Sequence, residues 1–240
     1  MSERTFLDRI LETIEEGRIE KVLIGLHWTA VVVAVDGRLR CGLASTVRAG
    51  HNHEEADIEA AGVLQQQTSR ELASLVYSEQ PVRASVGLAT INALLAPQPD
   101  NWVTLNAEDV IARHGAGKHV ALVGHFPFVP DLFNEVGKLS VLEQMPRPGD
   151  LPATAAPGIL TRADVIAITS MTIHNHTLPD LLQHCNPHAL TILLGPSTPM
   201  SPRLFEEGID ILCGSYVTNI DAVLDVVSQG GTFRQVHGAG

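Results

Sequence analysis

The sequence predicts an α/β protein whose two halves are built differently. Three observations carry this. An amphipathic segment and an Asp-Gly hairpin open the chain. Helical periodicity fills the rest of the first half. Short apolar runs then alternate with helical segments in the second half. A division at 98/99 is expected, giving an α+β domain over 1–98 and an α/β domain with a mostly parallel sheet over 99–240.

The elements follow in order. Phe6, Leu7, Ile10, Leu11 and Ile14 recur at helical spacing, with Gly17 as a candidate cap. Lys21–Val35 and Arg38–Ser45 are dense in Val, Ile, Leu and Ala and flank Asp36-Gly37, a strong hairpin signal. Helices are expected at Glu71–Tyr77 and, behind Pro81, at Val82–Leu95. Ala96–Leu105 carries two prolines and an Asp-Asn pair and reads as a linker. Strands are expected at His119–Val123, Lys138–Glu143, Val165–Thr169, Leu190–Leu194 and Ile209–Leu212. Helices are expected at Ala107–His114, Pro130–Val136, Leu178–His184, Pro202–Glu207 and Asn219–Gln229. Apolar strands separated by helices imply a parallel sheet covered on both faces.

Composition narrows the function classes. Lys plus Arg number 16 and Asp plus Glu 27, a net charge of −11, which argues against nucleic acid and anionic membrane surfaces. Aromatics are 4%, too few for base-stacking platforms. No window approaches about 18 uninterrupted apolar residues, so no membrane span is expected. Met1–Gly17 reads as an acidic amphipathic helix rather than a signal peptide, and a cytoplasmic location is expected. Cys41, Cys185 and Cys213 lack disulfide or zinc-ribbon spacing. The 11 His invite a search for metal or proton chemistry.

In parallel α/β sheets, ligands bind beyond the carboxyl ends of the strands. Those loops hold Gly124-His125-Phe126-Pro127, Glu143, the polar run Ser170, Thr172, His174, Asn175, His176, Thr177, and Gly195-Pro196-Ser197-Thr198. Gly124 lets the backbone approach a ligand, and Glu143 is a candidate acceptor for ribose hydroxyls. Thr177 can cap the helix behind it. His125, an imidazole at a strand end, is the candidate acid/base or ligating residue. His51-x-His53 and His174-x-His176 could each offer two imidazoles to one transition metal ion if extended, with His184, Cys185 and His188 on the following helix. No GxGxxG, P-loop, nucleophile elbow or HExxH is present.

These segments together resemble a known family. IGLHWTAVVV at 24–33, GLAS at 42–45, SVGLATINALL at 85–95, VALVGHFPFVPDL at 120–132, ADVIAITSMTIHNHTLPDLL at 163–182 and LLGPSTPMSPRLFEEGIDILCGSYV at 193–217 are similar to the "putative heavy-metal chelation" family. The resemblance implies an enolase-N-terminal-like domain followed by a Rossmann-like domain. It also implies a site in the crevice between them, at Gly124, His125, Phe126, Pro127, Asn175, Thr177, Gly195, Pro196 and Ser197, with Thr29 and Asn92 from the first domain. The leading expectation is a protein that binds a small polar metabolite or a metal chelate, with catalysis left open and a homo-oligomer compatible with it. The alternatives are an enzyme using S-adenosylmethionine or NAD, and a non-catalytic scaffold.

Overall fold

A computed structural model describes residues 5–48 and 56–239. Two compact units emerge, and neither is one stretch of chain. The first comprises Met1–Pro97, Pro196–Arg203 and Gly214–Gly240; the second comprises Gln98–Gly195 and Leu204–Cys213. The single cut expected at 98/99 thus differs from these units, which the chain enters and leaves at 97/98, 195/196, 203/204 and 213/214.

In the first unit, strands β1 (Arg18–Ile24), β2 (Trp28–Val35) and β3 (Arg38–Ser45) form an antiparallel sheet in chain order. Asp36 and Gly37 adopt φ of 48° and 74°, the positive values a two-residue type I′ turn requires. Helix α1 (Phe6–Leu11) starts in a Thr5–Asp8 capping box. It stops at Leu11, short of the expected Gly17, whose own place is against Val35 and Leu94. Helix α2 (Ser69–Ser74), entered through a Thr68–Glu71 capping box, runs into a 3-10 turn at Leu75–Tyr77. Helix α3 (Pro81–Leu94) begins with proline at its first turn, is buried nearly all round, and packs across β2 and β3.

The remaining helices of this unit cover the opposite sheet face. Trp28, Ala30 and Val32 of β2 and Cys41 and Leu43 of β3 pack with Val217 and with Val223, Leu224, Val227 and Val236. The last four lie on two late helices, Ile220–Ser228 and Phe233–Ala239. β2 is consequently buried on both faces, as its unbroken apolar run requires.

The second unit is a six-stranded sheet of parallel pairs: β4 (His119–Val123), β5 (Lys138–Glu143), β6 (Leu151–Pro152), β7 (Val165–Thr169), β8 (Leu190–Leu194) and β9 (Ile211–Cys213). Their spatial order is β6-β5-β4-β7-β8-β9. The chain builds outward from β4 to one side, then returns to build from β7 to the other. That reversal creates a switch point between β4 and β7, the order of doubly wound Rossmann folds. Helix α4 (Ala107–Gly115) places Ile111 against Val120, Leu122, Val141, Val165, Ala167, Ile192 and Leu194.

Three more expected elements shift. The helix expected over Pro130–Val136 is a single turn, α5 (Val129–Leu132), followed by irregular turns into β5. Pro202–Glu207 is 3-10 helix. β9 starts two residues late, because the Asp210 N–H bonds to Thr191 O before regular pairing begins. A helix α6 (Ala156–Leu160) and the two-residue β6 were not foreseen. No described helix is long and apolar enough to cross a membrane.

Candidate functional site

The carboxyl edge of the parallel sheet is built from glycine-ended strands. Gly124 follows β4 at φ 102° and continues its ladder by donating to Leu142 O at 2.8 Å. A Cβ there would lie 3.0 Å from Thr169 Cγ2. Gly195 follows β8 at φ 123°, and its Cβ would lie 2.7 Å from Ser170 Oγ. Both values lie in the region that only glycine enters without strain. β7 therefore ends in Thr169 and is followed by Ser170, two hydroxyl residues each seated against the glycine that follows a neighbouring strand.

His125 stands on the β4 side of this switch point and is fixed twice. Its backbone N–H donates to Glu143 Oε2 at 3.0 Å, and its Nδ1 meets both Asp150 carboxylate oxygens at 3.0 and 2.9 Å. A carboxylate can only accept, so Nδ1 carries a proton and Nε2 is the ring nitrogen left to face a ligand. The Asp150 carboxylate is almost wholly buried, with 3% of the side chain exposed, and also accepts from Arg147 N at 3.0 Å. Burial by itself would raise its pKa. The Arg147 N–H, then the hydrogen bond and charge of His125, outweigh that and hold the carboxyl below the usual aspartate value.

Glu143, expected to receive ribose hydroxyls, is occupied by the protein's own backbone. Its Oε1 accepts from Gln144 N at 2.7 Å while Oε2 holds His125. Phe126 stacks on Phe128, with centroids 5.0 Å apart and planes 7° from parallel. Gly124, His125, Phe126, Pro127 and Glu143 are thus gathered at one edge. Asp150 completes the group and is absent from the sequence-based set. Its signal is the Pro-Gly-Asp turn immediately before β6.

The polar loop after β7 is not extended. It forms a helical turn, α7 (Met171–His174), then reverses at His176, φ 57°, into α8 (Leu178–Gln183). The extended geometry that would aim His174 and His176 the same way is therefore absent; His174 is buried in the turn and His176 is left-handed. Thr172 Oγ1 donates to Thr169 O at 2.7 Å. Asn175 Oδ1 accepts from Thr177 N and from Thr177 Oγ1 at 3.2 and 2.6 Å. Thr177 stands at the cap position of α8 but makes no side-chain capping bond, because its hydroxyl serves Asn175. His184 follows the end of α8, and Cys185 and His188 lie beyond it. His51 and His53 lie outside the described residues.

Thr29, Asn92, Pro196, Ser197 and Thr198 belong to the first unit. Ser197 Oγ accepts from Ser45 N at 2.8 Å, and Asn92 Nδ2 donates to Leu43 O and Ser197 O at 2.8 and 3.0 Å. Pro196 O accepts from Ser215 Oγ at 2.9 Å. The GPSTP loop is thereby sewn to β3 and α3. Thr29 shares a hydroxyl contact of 2.9 Å with Thr46. Thr198 Oγ1 is buried without a hydrogen-bond partner among the described residues.

Among the described residues no three His, Cys, Asp or Glu side chains are grouped to hold a metal ion. Burial pushes the Cys41 thiol up to about 12 and the Cys185 thiol up to about 11, and raises Cys213, so none is poised as a thiolate.

Two family models match the chain, both described as "putative heavy-metal chelation": DUF4213 over residues 7–95 and DUF364 over 106–240. An uncharacterized protein of Methanocaldococcus jannaschii is 23% identical over 230 residues, spanning 91% of this chain and 86% of its own. A crystal structure of a DUF364 protein of unknown function from Desulfitobacterium hafniense has 26% identity and a TM-score of 0.81, covering 98% of this chain and 94% of that one. A second, from Pyrococcus horikoshii, has 21% identity and a TM-score of 0.75, covering 98% and 95%, and supports the fold.

Proposed function

The chain belongs to the DUF364 family, described as "putative heavy-metal chelation", and from that membership we propose that it binds a transition metal ion already held by a small organic chelator. The binding edge is the switch point of the parallel sheet. The single observation carrying this is the His125–Asp150 pair. A ring whose Nδ1–H is held by a buried carboxylate presents an oriented Nε2, the arrangement typical of metal-ligating histidines. Imidazole suits nickel, cobalt, copper and zinc. One imidazole fills one position, so a chelator that leaves coordination sites open matches the donor supplied here. Gly124 and Gly195 let Thr169 and Ser170 close against the neighbouring strand ends, which shapes the edge that the organic part would meet.

The same pair has the geometry of a general base, so chemistry on a bound metabolite is compatible with it. The Rossmann strand order favours a second reading, an adenosyl cofactor at the switch point. The single-turn α5 and the engaged Glu143 make it the weaker one. Titration with NAD and S-adenosylmethionine separates the two; binding tighter than about millimolar would favour the cofactor.

The test of the leading reading is calorimetric and thermal titration with Ni²⁺, Co²⁺, Cu²⁺ and Zn²⁺, alone and as nitrilotriacetate complexes. Ligand at a hundredfold excess over Kd should add about 2.7 kcal/mol of stability. His125→Ala should weaken binding at least tenfold, about 1.4 kcal/mol, while shifting Tm by only a few degrees. Thermal shifts no larger than those from chelator alone would overturn the reading. An early-melting His125→Ala protein that still binds normally would move the site elsewhere.

A further inference from the structure

We infer that Glu143 is a positioning residue, one that governs chelate binding only through His125; the inference rests on the reading above. Its side chain stands where the β4 ladder stops. Val123 is the last paired residue of β4, opposite Leu142, and Gly124 N–H adds one more rung to Leu142 O at 2.8 Å. The positive φ of Gly124, 102°, then turns the chain off the sheet. His125 is the first residue beyond that turn, and its N–H donates to Glu143 Oε2 at 3.0 Å. A carboxylate thus takes over the acceptor role that a strand carbonyl plays one residue earlier.

Glu143 closes the neighbouring strand, β5, and its other oxygen accepts from Gln144 N at 2.7 Å. One side chain therefore ties the first residue after β5 to the main chain of His125, across 18 positions of sequence. Bonds from backbone N–H to a charged carboxylate are stronger than neutral ones. Asp150 meanwhile holds the ring at Nδ1. Main chain and ring are fixed by separate groups, so little ordering of Nε2 is left to be done when the metal arrives. Glutamine probes this closely. It has nearly the shape of glutamate, but its amide has one acceptor oxygen and turns N–H toward the second backbone donor. It can serve Gln144 or His125, and not both.

The experiment measures Cu²⁺–nitrilotriacetate binding by calorimetry for wild type, Glu143→Gln, His125→Ala and the double variant. Glu143→Gln should bind about fivefold more weakly than wild type, with Tm lower by only a few degrees. The double variant should bind within about twofold of His125→Ala, because a residue that works through the ring then has nothing left to position. Electron paramagnetic resonance of the bound copper reads the ring itself. Glu143→Gln should broaden the copper hyperfine lines, since the imidazole meets the metal over a spread of angles, a change that loss of packing elsewhere does not produce. Wild-type affinity in Glu143→Gln, or an unaltered copper spectrum, with His125→Ala still impaired, would overturn the inference and spare the functional reading. A further loss from Glu143→Gln in the His125→Ala background would make Glu143 a direct ligand contact and overturn it as well. Absence of wild-type binding would remove both ideas together.

Discussion

Asp150 does at the residue scale what the strand-end loop cannot do alone: it sets the tautomer of His125. Because folding lowers its pKa, it contributes stability that is present above the unfolded aspartate value, about 4, and is lost as pH falls through the lowered folded value. Asp150→Asn should therefore lower Tm near neutral pH, and the gap from wild type should close below about pH 4. A gap constant from pH 7 to pH 3 would show that the carboxylate's charge is not involved. Gly124→Ala should cost about 2 kcal/mol in urea unfolding, since it forces φ 102° on a residue with a Cβ and presses that Cβ onto Thr169. The place of Gly124 and His125 at the sheet edge was legible because they directly follow an apolar run that reads as a parallel strand. Asp150 was not: 25 positions separate it from the ring it holds, and only a two-residue strand carries it to the sheet edge. The engagement of Glu143 by amide hydrogens was equally hidden, because sequence shows a carboxylate but not its acceptor load.

Among the elements, those with local chemistry were readable. Asp36-Gly37 dictates its turn, Pro81 marks the start of α3, and the four long parallel strands are apolar runs bounded by polar residues. Elements shaped by a backbone closure or by a distant partner were not. The turn of α7 replaces an expected open loop because Thr172 O accepts from Thr177 N across the reversal at His176. β3 shows another such dependence. A Cβ on Gly42 would stand 2.1 Å from Ala89 O and 2.3 Å from Ala93 N, so helix and strand backbones touch there. Gly42→Ala should lose roughly 3 kcal/mol on denaturant unfolding. A loss under about 1 kcal/mol would mean that α3 shifts freely away from the sheet.

For the whole molecule, the decisive feature is that the first unit is completed by residues from the far end of the sequence. The apolar face formed by Trp28, Ala30, Val32, Cys41 and Leu43 has its cover in Val217, Val223, Leu224, Val227 and Val236. A fragment of residues 1–98 should bind hydrophobic dye and unfold without a sharp transition. Supplying residues 214–240 by a short linker should restore cooperativity; a cooperative 1–98 fragment would refute this dependence. The same arrangement orders events during synthesis. Translation adds about 5–20 residues per second, so roughly 9–34 s separate the emergence of β3 from that of Val217, and the helix after it comes later still. Through that interval a ribosome-bound chain carries an uncovered apolar sheet, a natural address for a holding chaperone, and the earliest-made strands mature last.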